Sequence, residues 1–185
     1  MTEDVIKDAE DRLKKAIEAL RRDLQTIRTG RATPALVDRV FVEYYGAPTP
    51  LNQLATVNAP EPRLLLIKPY DKSSIGLIEK ALQKSDMGFN PSSDGQVIRI
   101  PIPALTEDRR RDMVKIAKSK VEEGRISIRN VRRDALHDLK EMESEKMISE
   151  DDLKRASEKI EDLMHKYVRE AEQIGDAKEI EVMEV

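Results

Sequence analysis

Arg125, Arg129, Arg132 and Arg133 fall within the run Gly-Arg-Ile-Ser-Ile-Arg-Asn-Val-Arg-Arg-Asp, residues 124–134. On a helix, steps of four and three put Arg125, Arg129 and Arg132 on one face. Arg129 also lies four residues from Arg133. Like charges at these spacings repel by about 0.2–0.5 kcal/mol per pair, so such a row needs an anionic partner. Inside the fold that partner would be a facing acidic helix; outside it, phosphate. Planar guanidinium groups match phosphate through paired N–H bonds, and Asn130 and Ser127 add neutral donors for backbone oxygens. Arg28 and Arg31, at the end of the first helical segment, would extend the basic surface. A cation such as Arg28 in a last helical turn is, however, also favoured by the helix dipole. Glu122 can reach Arg125 and Asp134 can reach other charges, so the residues alone leave internal pairing and RNA contact both open.

Other chemistry is sparse. With no cysteine, disulfides, thiolate zinc sites and cysteine nucleophiles are excluded. The two histidines, His137 and His165, are isolated among charged residues and too few for a histidine-rich metal site. Neither a dinucleotide-binding glycine motif nor a P-loop occurs, and neither does a metalloprotease or serine-hydrolase signature. Glu150-Asp151-Asp152 sit where acidic side chains suit the dipole at a helix start. Tyr44 and Tyr45 are adjacent in a strand-like run, so one is expected in the core and the other exposed beside Gly46. No nucleophile, base and orienting group assemble. The chain reads as a non-enzyme without cofactor or metal. No signal peptide or membrane span is found, which makes the cytoplasm the default location.

Charge is unevenly distributed. Charged residues make up 37% of the chain, with a net charge of −3. Residues 107–133 carry ten Lys/Arg against five Asp/Glu, whereas residues 134–185 carry eight against seventeen. Screening over roughly 8 Å lets a basic face act despite a distant acidic end.

Three heptad patterns must position these groups. The first is Leu13, Ile17, Leu20, Leu24, Ile27. The second is Val114, Ala117, Val121, Gly124, Ile128, Val131, Ala135, with Asp138 interrupting before Met142. The third is Leu153, Ala156, Ile160, Leu163, Tyr167, continued by Ala171 and Ile174. Such periodicity with charged flanks predicts helices packed along a left-handed seam. Thr2, Thr106 and Ser149 stand where N-caps belong. The second helix is expected over about residues 107–145, and a short turn at Lys146–Ser149 makes its successor an antiparallel neighbour. The sum is a long three-helix bundle formed by residues 1–29 and 106–185.

Between the first two helices the pattern changes. Residues 30–105 hold all nine prolines and five of the seven glycines. Val40–Tyr45, Leu54–Val57, Arg63–Lys68 and Val97–Ile100 read as strands, and Ile75–Leu82 as an amphipathic helix with Gly88 as its stop. This predicts a small α+β domain inserted into the bundle. Its connections, Thr29-Gly30-Arg31-Ala32 and Pro103-Ala104-Leu105, should lie side by side at one end of the bundle and act as a hinge.

Several runs resemble the ribosome recycling factor family. They are Ile27-Arg28-Thr29-Gly30-Arg31-Ala32-Thr33-Pro34, Val42-Glu43-Tyr44-Tyr45-Gly46, Pro48-Thr49-Pro50-Leu51, Gly88-Phe89-Asn90-Pro91 and Ile98-Arg99-Ile100-Pro101. Leu105-Thr106-Glu107-Asp108-Arg109-Arg110, Arg129-Asn130-Val131-Arg132-Arg133-Asp134-Ala135 and Ile148-Ser149-Glu150-Asp151-Asp152 complete the set. They follow one another in order along nearly the whole chain. The resemblance implies an L-shaped molecule, a three-helix bundle joined to a β/α/β domain by a two-strand hinge. It implies action after translation termination: binding to the large ribosomal subunit through its ribosomal RNA. Together with elongation factor G and GTP hydrolysis by that partner, it implies dissociation of the post-termination complex. Carried over by motif, Arg129 and Arg132 would contact ribosomal RNA, with Arg125, Asn130, Arg133 and Arg28 beside them. Gly30, Arg31, Ala32, Ala104, Leu105 and Thr106 would form the hinge, and the free factor would be a monomer that binds no membrane. A client-binding coiled-coil adaptor is the alternative from another class. It would show an exposed apolar face and weakly salt-dependent binding. An enzyme acting on RNA comes third, for want of any catalytic group.

Overall fold

The computed structural model describes residues 1–27, 29–85 and 88–184. Its elements are α1 (Thr2–Gln25), β1 (Phe41–Tyr44), β2 (Ala47–Pro50), α2 (Leu51–Leu54), β3 (Ala55–Glu61) and β4 (Leu64–Pro69). They continue with α3 (Ile75–Lys84), β5 (Ser92–Ser93), β6 (Ile98–Pro101), α4 (Glu107–Ser144) and α5 (Glu150–Met183). The chain divides into two compact units, one of Met1–Thr29 with Glu107–Glu184 and one of Gly30–Thr106.

The first unit is a three-helix bundle in which α1, α4 and α5 each pack on the other two. At ~1.5 Å per residue, α4 is about 57 Å long. Leu13, Ile17, Leu20, Leu24 and Ile27 are buried as their 4-3-4-3 spacing predicts. In α4 the buried row is Ala117, Val121, Ile128, Val131, Ala135 and Leu139. The seam therefore steps by four from Ala135 to Leu139, leaving Asp138 exposed and Met142 only half-buried. A 3.6-residue helix drifts against a 3.5-residue repeat, and a four-residue step absorbs that drift. In α5 the seam narrows to small residues. Ala156, Ala171 and Gly175 are buried with Ile160, Tyr167 and Val182, while Leu153, Leu163 and Ile174 stay half-buried.

Two ends of the helices show how local chemistry sets their bounds. Ser149 accepts a hydrogen bond from the Asp152 amide at 3.0 Å, and the Asp152 carboxylate accepts from the Ser149 amide at 3.2 Å. That reciprocal pair satisfies two otherwise unpaired N–H groups. Thr2 is not a cap: it is the first helical residue, and the Met1 carbonyl accepts from the Asp4 amide at 3.2 Å. At the end of α4, Met147 N–H donates to Met142 O at 2.8 Å and Lys146 N–H to Glu143 O at 2.9 Å. This is a Schellman closure, with Lys146 in the left-handed region at φ 61°.

The second unit holds two antiparallel sheets, the β1–β2 hairpin and a four-stranded sheet in the order β3-β4-β6-β5. Leu65, Ile67, Ile98 and Ile100 alternate onto one face of the larger sheet, and α3 contributes Ile75, Ile78 and Leu82 to the same buried cluster. Strands β2 and β5 escape the sequence reading. The first contains two prolines, which suit a strand bonded along one side only, and the second is a two-residue bridge. The helix at 75 runs two residues further than predicted, to Lys84, with Ser85 rather than Gly88 at its C-cap. Tyr45 and Gly46, both at positive φ, form the two-residue hairpin loop. This loop, rather than strand alternation, leaves Tyr45 87% exposed, and Tyr44 is half-buried instead of entering the core.

Candidate nucleic-acid interface

The arginine row lies on the flank of α4 beside its buried seam. Going around the helix from the seam, Arg132 comes first, then Arg125, Arg129 and Arg133. Side-chain exposure runs broadly the same way, at 40%, 35%, 58% and 72%. Helical geometry therefore places the first two beside α5 and turns the last two outward. Asn130 is exposed on the surface next to Arg133, whereas Ser127, also exposed, lies on the other side of the seam, away from the row. Arg31 is exposed in the second unit, and Arg28 lies outside the described residues.

Every arginine of the row has a carboxylate partner. Arg132 donates through Nε to Glu161 Oε1 of α5 at 2.6 Å. Arg125 donates to Glu172 of α5 at 2.7 Å and to Glu122 at 3.3 Å. Glu122 turns its other oxygen to Arg129 at 2.8 Å, bridging two arginines. Arg133 approaches Asp134 at 3.7 Å, while Asp134 accepts a shorter bond, 2.9 Å, from Arg12 of α1. The bonds from Arg129 and then Arg125 hold the Glu122 carboxyl below its ordinary range, and Arg12 does the same for Asp134. Both acids therefore stay ionised at neutral pH. Counting Arg12, five arginines meet four carboxylates. The patch is close to neutral, unlike the strongly basic segment that the linear sequence suggests.

Charge pairing does not remove the arginines from use. Each pair is half-exposed, and surface pairs of this kind contribute about 0–1 kcal/mol after solvent screening and side-chain entropy. Phosphate offers a guanidinium more acceptor oxygens in the same planar geometry. Pairs of this strength cost little to exchange for another acceptor. The Glu161 and Glu172 contacts follow from the short turn after α4. Reflecting Arg132 through that turn lands close to Glu161, a signal the antiparallel arrangement alone supplies.

Around the two connections between the units, Gly30 adopts φ +76°, and a Cβ there would lie 3.2 Å from Leu105 Cγ. The first connection thus runs close beside the second. The Ala32 amide donates to Pro62 O at 2.7 Å, and Ala32 is buried. Leu105 is half-buried, while Ala104 and Thr106 are exposed. Among the described residues no group of three or more His, Asp or Glu is placed to hold a metal ion. Nor, among these residues, is any helix long and apolar enough to cross a membrane.

A family model described as ribosome recycling factor matches residues 20–183. A ribosome-recycling factor from Chloroflexus aurantiacus is 57% identical over 185 residues, covering all of both chains. A solution structure of a ribosome recycling factor superposes with a TM-score of 0.72 at 41% identity, covering 100% of this chain and 98% of that one. A second structure gives a TM-score of 0.62 at 43% identity, covering 99% of each chain. It describes the T. thermophilus ribosome recycling factor and E. coli elongation factor G bound to the E. coli post-termination complex.

Proposed function

The chain belongs to the ribosome recycling factor family, and on that premise we propose that its bundle docks on the large ribosomal subunit through the arginine flank of α4. The protein acts in ribosome recycling, with elongation factor G as its partner on the post-termination complex. In this reading Arg129 and Arg133 meet ribosomal RNA phosphates first, since they point outward. Arg125 and Arg132 follow by exchanging Glu172 and Glu161 for phosphate, and Asn130 adds a neutral bond. The family motif adds Arg28 as a further candidate contact. The observation that carries the reading is a row of half-exposed guanidinium groups whose internal partners hold them only weakly.

The chain supplies position and force transmission rather than catalysis. GTP hydrolysis belongs to elongation factor G, and the absence of a P-loop from the sequence agrees with that division. Gly30, Arg31, Ala32, Ala104, Leu105 and Thr106 serve as the hinge through which one unit moves while the bundle stays anchored. The working location is the cytoplasm, where ribosomes terminate. The free chain is a monomer.

Post-termination ribosomes supplied with this protein, elongation factor G and GTP should yield free subunits by light scattering. Omitting the protein should leave them joined. Equal splitting with and without it would overturn the assignment. Within the bundle the large exposed apolar side chains, Met1, Ile116, Ile126, Met147, Ile180 and Met183, are spread from both ends of the helices and the turn to the middle of α4. That scatter does not favour a client-binding adaptor, which needs one contiguous apolar face.

A further inference from the structure

The arginine face of α4 continues toward the start of the helix. Lys118 lies seven residues before Arg125 and fourteen before Arg132, and Lys115 lies fourteen before Arg129. Seven residues make close to two helical turns, so both lysines share the arginines' side. From Lys115 to Arg133 the row extends about 27 Å at ~1.5 Å per residue. Glu122 interrupts it and is engaged with Arg125 and Arg129. Arg111, a further seven residues back, is held by Glu107 at 2.6 Å.

Lys115 and Lys118 differ from all of these. Both are exposed, and among the described residues neither has an ion pair. The antiparallel register that brings Glu161 to Arg132 and Glu172 to Arg125 leads next to Glu179, yet no ion pair joins Glu179 to Lys118. Two lysines three residues apart on one face repel each other, and among the described residues no ion pair offsets it. The arginine patch is near neutral in the free protein, so the uncompensated positive charge of this face sits on the lysines.

We infer that Lys115 and Lys118 are further phosphate contacts of the same face, and that they supply its attraction for RNA before the arginines exchange partners. The inference rests on the proposed docking of the bundle on ribosomal RNA. Uncompensated charges steer encounter and set the association rate, whereas arginines that must first leave a carboxylate act after contact. The partner chemistry is an RNA sugar-phosphate backbone, without base specificity.

The test compares binding of Lys115→Gln/Lys118→Gln and of the unaltered protein to isolated large subunits over a range of salt concentrations, with association and dissociation rates. Two lost phosphate contacts should lower the slope of log affinity against log salt by about 1.4–1.8. Most of the affinity loss should fall on the association rate, with the helical content and melting temperature unchanged. The charge-matched variant Lys154→Gln/Lys159→Gln, on exposed positions of α5, should leave the slope unaltered. An unchanged slope and association rate in the α4 variant, while Arg129→Gln lowers the slope, would overturn this inference alone. An equal effect from both lysine pairs would also overturn it, since net charge would then suffice. Salt-insensitive binding by the unaltered protein would instead remove the RNA reading beneath it.

Discussion

Arg132 and Glu161 present the sharpest choice at the scale of single residues. Their contact at 2.6 Å joins α4 to α5, and the carboxylate either competes with phosphate or holds the guanidinium ready for it. A half-exposed pair contributes about 0–1 kcal/mol, so releasing Arg132 should be a small gain. Glu161→Gln is expected to tighten binding to the large subunit by about two- to fivefold, the equivalent of up to ~1 kcal/mol. Equilibrium titration measures this, and weaker binding would show that Glu161 positions Arg132 instead. The arginine row was legible in the sequence because helical periodicity alone groups it. The sharing of Glu122 between Arg125 and Arg129 was only half legible. A contact three residues away is anticipated by helix geometry, whereas the contact seven residues away depends on both side chains lying along the helix. Glu161 and Glu172 needed the α4–α5 register, which is a property of the packed bundle.

Among the elements, two helical glycines have opposite roles. A Cβ on Gly175 would lie 2.5 Å from Val121 Cγ2, whereas one on Gly124 would make ordinary contact with Leu20 Cδ2 at 3.5 Å. Val121 is β-branched and stiff at χ1, so α5 can lie this close to α4 only without a side chain at 175. Gly175→Ala should incur about 1–3 kcal/mol of overpacking, outweighing a helix-propensity gain of about 1. Gly124→Ala should gain about 0.5–1 kcal/mol of stability. Denaturant melts of the two variants should therefore shift in opposite directions; a shift of the same sign would refute the packing argument at Gly175. The three helices were legible from their heptads, and the cap at Ser149 from its acidic neighbours. The four-residue step to Leu139 was not, because a strict repeat predicts Asp138 and only packing decides where the drift is taken up. The hairpin strand β2 was hidden by its prolines, residues that argue against a strand until an unpaired edge is known.

For the whole molecule, an acidic chain of net charge −3 has to approach a ribosome coated in phosphate. The distribution of charge, rather than its total, makes that possible. In the proposed mechanism, anchoring by the bundle and motion at the hinge are separable. Gly30→Ala would place a Cβ at positive φ, 3.2 Å from Leu105 Cγ, at about 1–2 kcal/mol of local strain. It is expected to leave large-subunit affinity within about twofold, well under 1 kcal/mol, while slowing subunit splitting. Equal losses in binding and splitting would argue against a hinge at this position. The central claim, that the bundle is held by phosphate contacts from α4, is tested most directly by sedimentation with isolated large subunits at several salt concentrations, comparing the unaltered protein with Arg129→Gln. The account predicts a linear fall of log affinity with log salt, and a slope shallower by about 0.7–0.9 in the variant. Binding that does not change with salt, or identical slopes for the two proteins, would contradict it.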